Sequence, residues 1–177
     1  MAWSTPPTWS PGQTIASSNL NIIRDDLLAT AAGVATAGAR HIVTTGANAV
    51  AERVISNAIV AAGETTTSTS FTALTTAGPT VSSITTGTLA IVSVSSQVNN
   101  NTGGPSSRHG FDVSGATTTA ANDPQSALLQ SDGSRDCSQT RVMLVTLTGG
   151  SNTFTSKYRV SSGTGRWQDR ELVVIAL

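Results

Sequence analysis

The chain has 177 residues, room for one ordinary domain and a short extra segment. Ser and Thr number 51, while aromatic residues are only 4% and charged residues only 11%, which favours an all-β domain of short strands and loops, since Thr suits strands and Ser and Gly suit turns. Ten basic residues (nine Arg and Lys157) cancel ten acidic ones without forming a run, which argues against a nucleic-acid surface; no stretch of 18 apolar residues offers a membrane span, and the single Cys137 excludes an internal disulfide framework.

Residues 1–14 read as an arm, because Pro6, Pro7, Pro11 and Gly12 prevent regular structure. Trp3 and Trp9 lie in it. An exposed indole is costly in water, so Trp3, Trp9, Pro11 and Ile15 are the expected attachment residues, docking onto a partner or a neighbouring subunit. The N-terminus has neither the basic region nor the apolar core of a signal peptide, so the chain is expected to stay in the cytoplasm in which it is made until it is assembled.

Residues 17–32 are the one good helix candidate, with Ser17 or Ser18 as the cap. Leu20, Ile23 and Leu27 recur at spacings of three and four, a heptad-like seam too short to stand alone in water. Arg24, Asp25 and Asp26 keep the far side polar, so the seam is expected to meet its symmetry mates in an oligomer. Few large side chains also mean a thin core, a further reason to expect association.

Residues 33–62, rich in Ala, Gly and Val, read as a connector with one short strand at roughly 53–60. The domain boundaries expected are therefore 1–40 for arm and helix, 41–62 for the connector and 63–177 for a β-sandwich. Within the last, 87–98, 108–116, 139–148, 152–162 and 166–177 are the strand runs, after a Thr/Ser-rich opening at 64–74. Phe111 and Val113 share one face of their run, as do Phe154, Tyr158 and Val160 of theirs. Residues 117–138 form a long polar excursion. Strands at this spacing, parted by Gly/Asn/Pro turns, indicate a jelly-roll-like antiparallel β-sandwich rather than βαβ units.

Little in the sequence carries chemistry. His109 and Asp112 suggest two members of a Ser-His-Asp set, but no nucleophile motif supports it. His41, His109 and Cys137 lack zinc-site spacing, and Asp132 and Asp136 flank Gly133 without the ligand spacing of a calcium loop. Asp169 and Glu171 are read as partners for Arg166, Arg159 or a neighbouring chain. The expectation is no catalysis, no cofactor and no metal.

The opening TWSPGQTIASSNLNIIRDDLLAT resembles the N-terminal segment of many structural proteins of tailed bacteriophages, particularly those of actinobacteria. The matching positions are Trp9, Gly12, Gln13, Ser17 to Leu20, Asn21 and Arg24 to Leu27. ETTTSTSFTALTTAGPTVSSITTGTLAIVSVS, FDVSGATTTAANDPQSAL and TLTGGSNTFTSKYRVSSGTGRWQDRELVVIAL are similar to the β domain of the same proteins. The resemblance implies a virion protein (minor tail, tail-fibre or head-decoration) with a jelly-roll-like body that trimerises. With no shaft after the sandwich, a capsid decoration or spike is expected, bound to major capsid or tail proteins, with a tail-tip, tail-fibre or baseplate component as the alternative. A host cell-surface glycan is a further candidate partner, because jelly rolls often bind sugars.

Overall fold

The structure, a computed structural model, describes residues 8, 10–28, 36–38, 40–47, 49–130, 133 and 135–177. The chain divides into two compact units, 1–54 and 55–177.

The first unit holds helix α1 (Ser17–Leu28) and strand β1 (Arg40–Gly46), which pairs antiparallel with the first half of β2 (Ala49–Val60). The cap falls one residue earlier than expected: the Ala16 carbonyl accepts from the Asn19 and Leu20 amides, so Ser17 lies inside the first turn. Residues 29–32 of the expected helix lie outside the described set. Where one short strand was expected near 53–60, the structure places two, β1 and a twelve-residue β2. Glu52 secures the segment before β1 by accepting from the Thr36 amide at 2.9 Å and hydroxyl at 2.7 Å. Those bonds, helped by the Arg40 charge, hold its carboxyl below the usual range.

The second unit is a sandwich of two antiparallel sheets. The remaining strands are β3 (Glu64–Thr66), β4 (Thr80–Thr86), β5 (Leu89–Asn100), β6 (Ser106–Gly115), β7 (Ser126–Gln130), β8 (Cys137–Thr146), β9 (Gly150–Val160) and β10 (Gly165–Ala176). The second half of β2 lies beside β10, which pairs β5, which pairs β8; β3 also pairs β10. The other sheet runs β4-β9-β6-β7. β4 and β5 lie in different sheets, as do β9 and β10, so the chain crosses between layers as in a jelly roll. The fold class is thus an all-β, jelly-roll-like sandwich with one short helix.

Period-two alternation builds the core. Ala90, Val92, Val94 and Val98 of β5 point inward with Phe111, Val113, Phe154, Tyr158, Val160, Trp167, Leu172 and Val174. Intervening Ser, Thr and Lys residues face out.

Two strands break that period, and the breaks explain what the sequence hides. In β4 the buried residues Val81 and Ile84 are three apart, because a bulge with Ser83 at φ 52° intervenes. In β10 a second bulge, between Gln168 and Glu171 with Asp169 at φ 47°, puts Trp167 and Arg170 on the same inward face. The polar excursion 117–138 likewise contains β7 and a 3-10 turn, Asp123–Gln125, that Asn122 caps through its side chain.

Candidate functional site

Of the expected attachment residues, Trp3 and Trp9 lie outside the described residues. Pro11 and Ile15 are exposed, Ile15 by 49%. Along α1, Leu20 and Leu27 are exposed by 54% and 62% and Ile23 is half-buried. Leu20 and Leu27 therefore stand exposed, with the half-buried Ile23 between them. Its opposite side is not uniformly polar surface as read from sequence: Arg24 and Asp25 form an exposed pair at 2.8 Å, whereas Asp26 is buried. The reason is a helix with little overall amphipathicity, in which SSNLNIIRDDLL has apolar and polar residues around most of its circumference.

Inside the sandwich the inward alternation delivers polar groups as well as apolar ones. β5 sends in Ser96, β6 His109, β8 Gln139 and β9 Ser156. His109 is fully buried, with Nδ1 3.2 Å from the Ser96 hydroxyl and Nε2 3.0 Å from that of Ser156. Gln139 donates to the same Ser96 hydroxyl at 3.2 Å. The ring stacks on Tyr158 with centroids 4.7 Å apart, and Tyr158 meets Trp167 at 5.4 Å. Burial, with the Arg170 charge nearby, lowers the His109 pKa to about 3, so the imidazole is neutral at ordinary pH.

Arg170 is completely buried. Its guanidinium lies 5.4 Å from the Tyr158 ring centroid, donates to the Thr76 carbonyl at 3.3 Å, and stands 3.8 Å from Glu64. Glu64 also accepts from the Thr76 amide, and these interactions hold its carboxyl below the usual range. The Tyr158 hydroxyl donates to the Gly78 carbonyl at 3.0 Å, and burial pushes its pKa up to about 12.

These groups do not form a catalytic set. His109 touches two serines, but it is sealed from solvent, and Asp112 is engaged elsewhere: it accepts from the Ala121 amide at 2.7 Å and pairs with Lys157 at 3.3 Å. Both ring nitrogens of His109 and the two serine hydroxyls are paired inside the core, whereas Gln139 Oε1 and Trp167 Nε1 find no hydrogen-bond partner there. A polar residue at an inward parity position, such as Ser96 after Val92 and Val94, was the signal available in the sequence.

Asp132 lies outside the described residues, and Asp136 accepts from Asn99 at 2.7 Å and lies 3.8 Å from Arg166. Among the described residues no group of three or more His, Cys, Asp or Glu is placed to hold a metal ion. Among the described residues no helix is long and apolar enough to cross a membrane. The expected pairing of Asp169 and Glu171 with Arg166 or Arg159 is corrected: Arg159 pairs with Asp123 at 2.5 Å, and Glu171 accepts from Asn57 at 3.3 Å, because the β10 bulge turns Arg170 inward and leaves Asp169 exposed. Arg159 and Arg108 hold the Asp123 carboxyl below its usual range. Beside the bulge, a shallow depression of about 300 Å³ is lined by Ser95, Gln97, Ser138, Gln139, Thr140 and Asp169.

No family model and no curated protein matches the sequence. Among solved structures, the Eiger TNF of S. frugiperda is 9% identical with a TM-score of 0.40, over 68% of this chain and 93% of that one. The VP2 subviral particle of infectious bursal disease virus is 11% identical with a TM-score of 0.47, over 76% of this chain and 37% of that one. The C-terminal CBM6 of a Zobellia galactanivorans laminarinase is 11% identical with a TM-score of 0.34, over 78% of this chain and 89% of that one. Likenesses this remote decide nothing about the role of this chain.

Proposed function

We propose that this chain is a non-enzymatic structural protein of a tailed bacteriophage virion, an outer capsid decoration or spike protein. Its N-terminal arm and helix attach it to major capsid or tail proteins, and its β domain associates as a homotrimer. It is assembled in the host bacterial cytoplasm and resides in the virion. The observation that carries this reading is the exposed apolar seam of α1, Leu20 and Leu27 with Ile15 before them, on the segment whose motif resembles phage structural proteins. Apolar side chains in a row on a short helix lose little by being exposed singly, but a regular spacing of three and four is what a partner groove reads. Several weak contacts of this kind, multiplied over an oligomer, raise the effective concentration of each arm at the particle.

The test is co-sedimentation of the full-length chain with purified particles. The wild type is expected in the particle fraction, and Leu20→Ser with Leu27→Ser is expected to reduce its occupancy at least tenfold. Unchanged occupancy contradicts attachment through the helix; a wild-type chain that never enters the particle fraction contradicts the virion assignment.

A second reading, a minor tail, tail-fibre or baseplate protein that binds a host cell-wall carbohydrate, draws on the hydroxyl- and amide-lined depression between β5, β8 and β10. Such a lining can exchange hydrogen bonds with sugar hydroxyls, although no aromatic ring is among its residues. Binding to a glycan array, lost in Asp169→Ala, tests it.

A further inference from the structure

The two outer faces of the sandwich are chemically unlike. On the β4-β9-β6-β7 sheet the outward side chains include Arg108, Lys157 and Arg159, balanced by Asp112 and Asp123. The outer face of the opposite sheet instead carries an apolar row in register across four strands. Ile55 of β2 lies opposite Ile175 of β10, Ile175 opposite Ile91 of β5, and Ile91 opposite Leu144 of β8. Two residues along, Val173 and Val142 occupy the next row, with Asn57 and Ser93 beside them. Ile55 is exposed by 52% and Val142 and Leu144 by 64% each, so the patch is open in the single chain.

We infer that this face is the surface through which copies of this chain associate. The inference rests on the homo-oligomeric part of the proposed function and names the surface; it does not depend on attachment to a particle. Two properties favour a second copy as the occupant. The first is charge. These two rows contain no ionised group; Glu171, in the following row, already accepts from Asn57, and Arg53, two residues before Ile55 in β2, donates to the Glu52 carbonyl. A charged partner would have to desolvate its ions against Ile and Val with nothing to pair them, whereas another copy brings an equally uncharged surface.

The second property is area. With strands about 4.8 Å apart and a rise of about 3.4 Å per residue, the twelve residues each of β5 and β10, the ten of β8 and the six of β2 that pair β10 cover about 650 Å², within the range each partner contributes to a standard stable interface. Its make-up is zoned. The Ile and Val rows lie toward one end, and the other end carries Ser95, Gln97 and Thr140 with the ionised Glu171 and Arg166, so an apolar patch adjoins a polar flank. Ordinary monomers rarely leave so continuous an apolar row open.

The experiment is sedimentation velocity on the full-length chain at micromolar concentration, with circular dichroism to check folding. The wild type is expected at a multiple of the 18.0 kDa chain mass. Val142→Asp with Leu144→Asp, at two exposed positions, is expected to sediment as a single chain with an unchanged β spectrum. Lys157→Gln, on the charged face, is expected to keep the wild-type mass. Should the Asp pair misfold, Val142→Thr with Leu144→Thr retains strand preference and is expected to weaken association at least tenfold. A wild type that is a single chain overturns the inference, as does an Asp or Thr pair that folds and keeps wild-type association, or dissociation by Leu20→Ser with Leu27→Ser alone. An oligomer that fails to co-sediment with particles leaves this inference standing and sinks the virion reading, so the two failures are distinct.

Discussion

The buried imidazole of His109 makes stability fall between pH 7 and 5, above the range in which carboxylates chiefly titrate. In the unfolded chain its pKa is about 6.5; in the sandwich, desolvation between Ser96 and Ser156 lowers it to about 3. Between those values the unfolded state takes a proton that the folded state refuses, so the contribution is fully present above about pH 6.5 and is lost as pH falls toward 3. At 1.36 kcal/mol per unit, lowering the pH from 7 to 5 should remove about 2 kcal/mol. The carboxylates held low by their partners, Glu52, Glu64 and Asp123, start from 4.5, 4.5 and 3.8, so their losses fall mostly below pH 5. Urea titrations at pH 7 and pH 5 measure the difference directly. In His109→Gln, whose amide can still bridge the two serines, the overall stability should be lower but nearly equal at the two pH values. A wild-type midpoint that does not move between pH 7 and 5, or one that moves equally in His109→Gln, would refute the reasoning.

Other outcomes follow from the packing. A Cβ at Gly165 would stand 2.5 Å from the Trp167 ring, so Gly165→Ala should lose about 1–3 kcal/mol by overpacking, read from the denaturant midpoint. Arg170→Leu removes the buried cation that faces Glu64 and the Thr76 carbonyl; because Glu64 is partly exposed, a loss of about 2–3 kcal/mol, toward the low end for a broken buried pair, is expected in the same assay. Asp123→Asn unpairs Arg159 and Arg108 at the surface and should cost less than about 1 kcal/mol, with the effect shrinking in high salt. Leu20→Ser with Leu27→Ser should leave the melting temperature of the sandwich within about 2 °C of wild type by calorimetry, since surface substitutions stay within about 0.5 kcal/mol.

The strands that alternate without interruption were legible before any coordinates. In β5 and β9 every second residue is buried over ten positions or more, and Phe111, Val113, Phe154, Tyr158 and Val160 face inward as their spacing required. β4 was hidden because its bulge spaces Val81 and Ile84 by three, and Thr-Val-Ser-Ser-Ile-Thr-Thr then matches neither a strand nor a helix period. The same effect in β10 concealed the burial of Arg170, which simple alternation assigns to the outside. β1 has strand-favouring Ile42, Val43, Thr44 and Thr45, but the Ala- and Gly-rich sequence on either side of it, 31–39 and 46–51, gave the whole stretch the look of a connector. The apolar outer row was unreadable for a different reason. Ile55, Ile91, Leu144 and Ile175 lie far apart in sequence, and the runs around Ile91 and Ile175 are apolar on both parities, so only the cross-strand register shows that they share one face.

The claim on which the account turns is that this polypeptide is a building part of a phage particle, gripped by its leading segment. Cryo-electron microscopy of the particle that carries it measures this most directly. The account predicts symmetric copies of the sandwich on the outer surface, with Ile15, Leu20 and Leu27 covered by neighbouring subunits. A particle map in which the sandwich is absent, or in which it is present with those three side chains facing solvent, would contradict it.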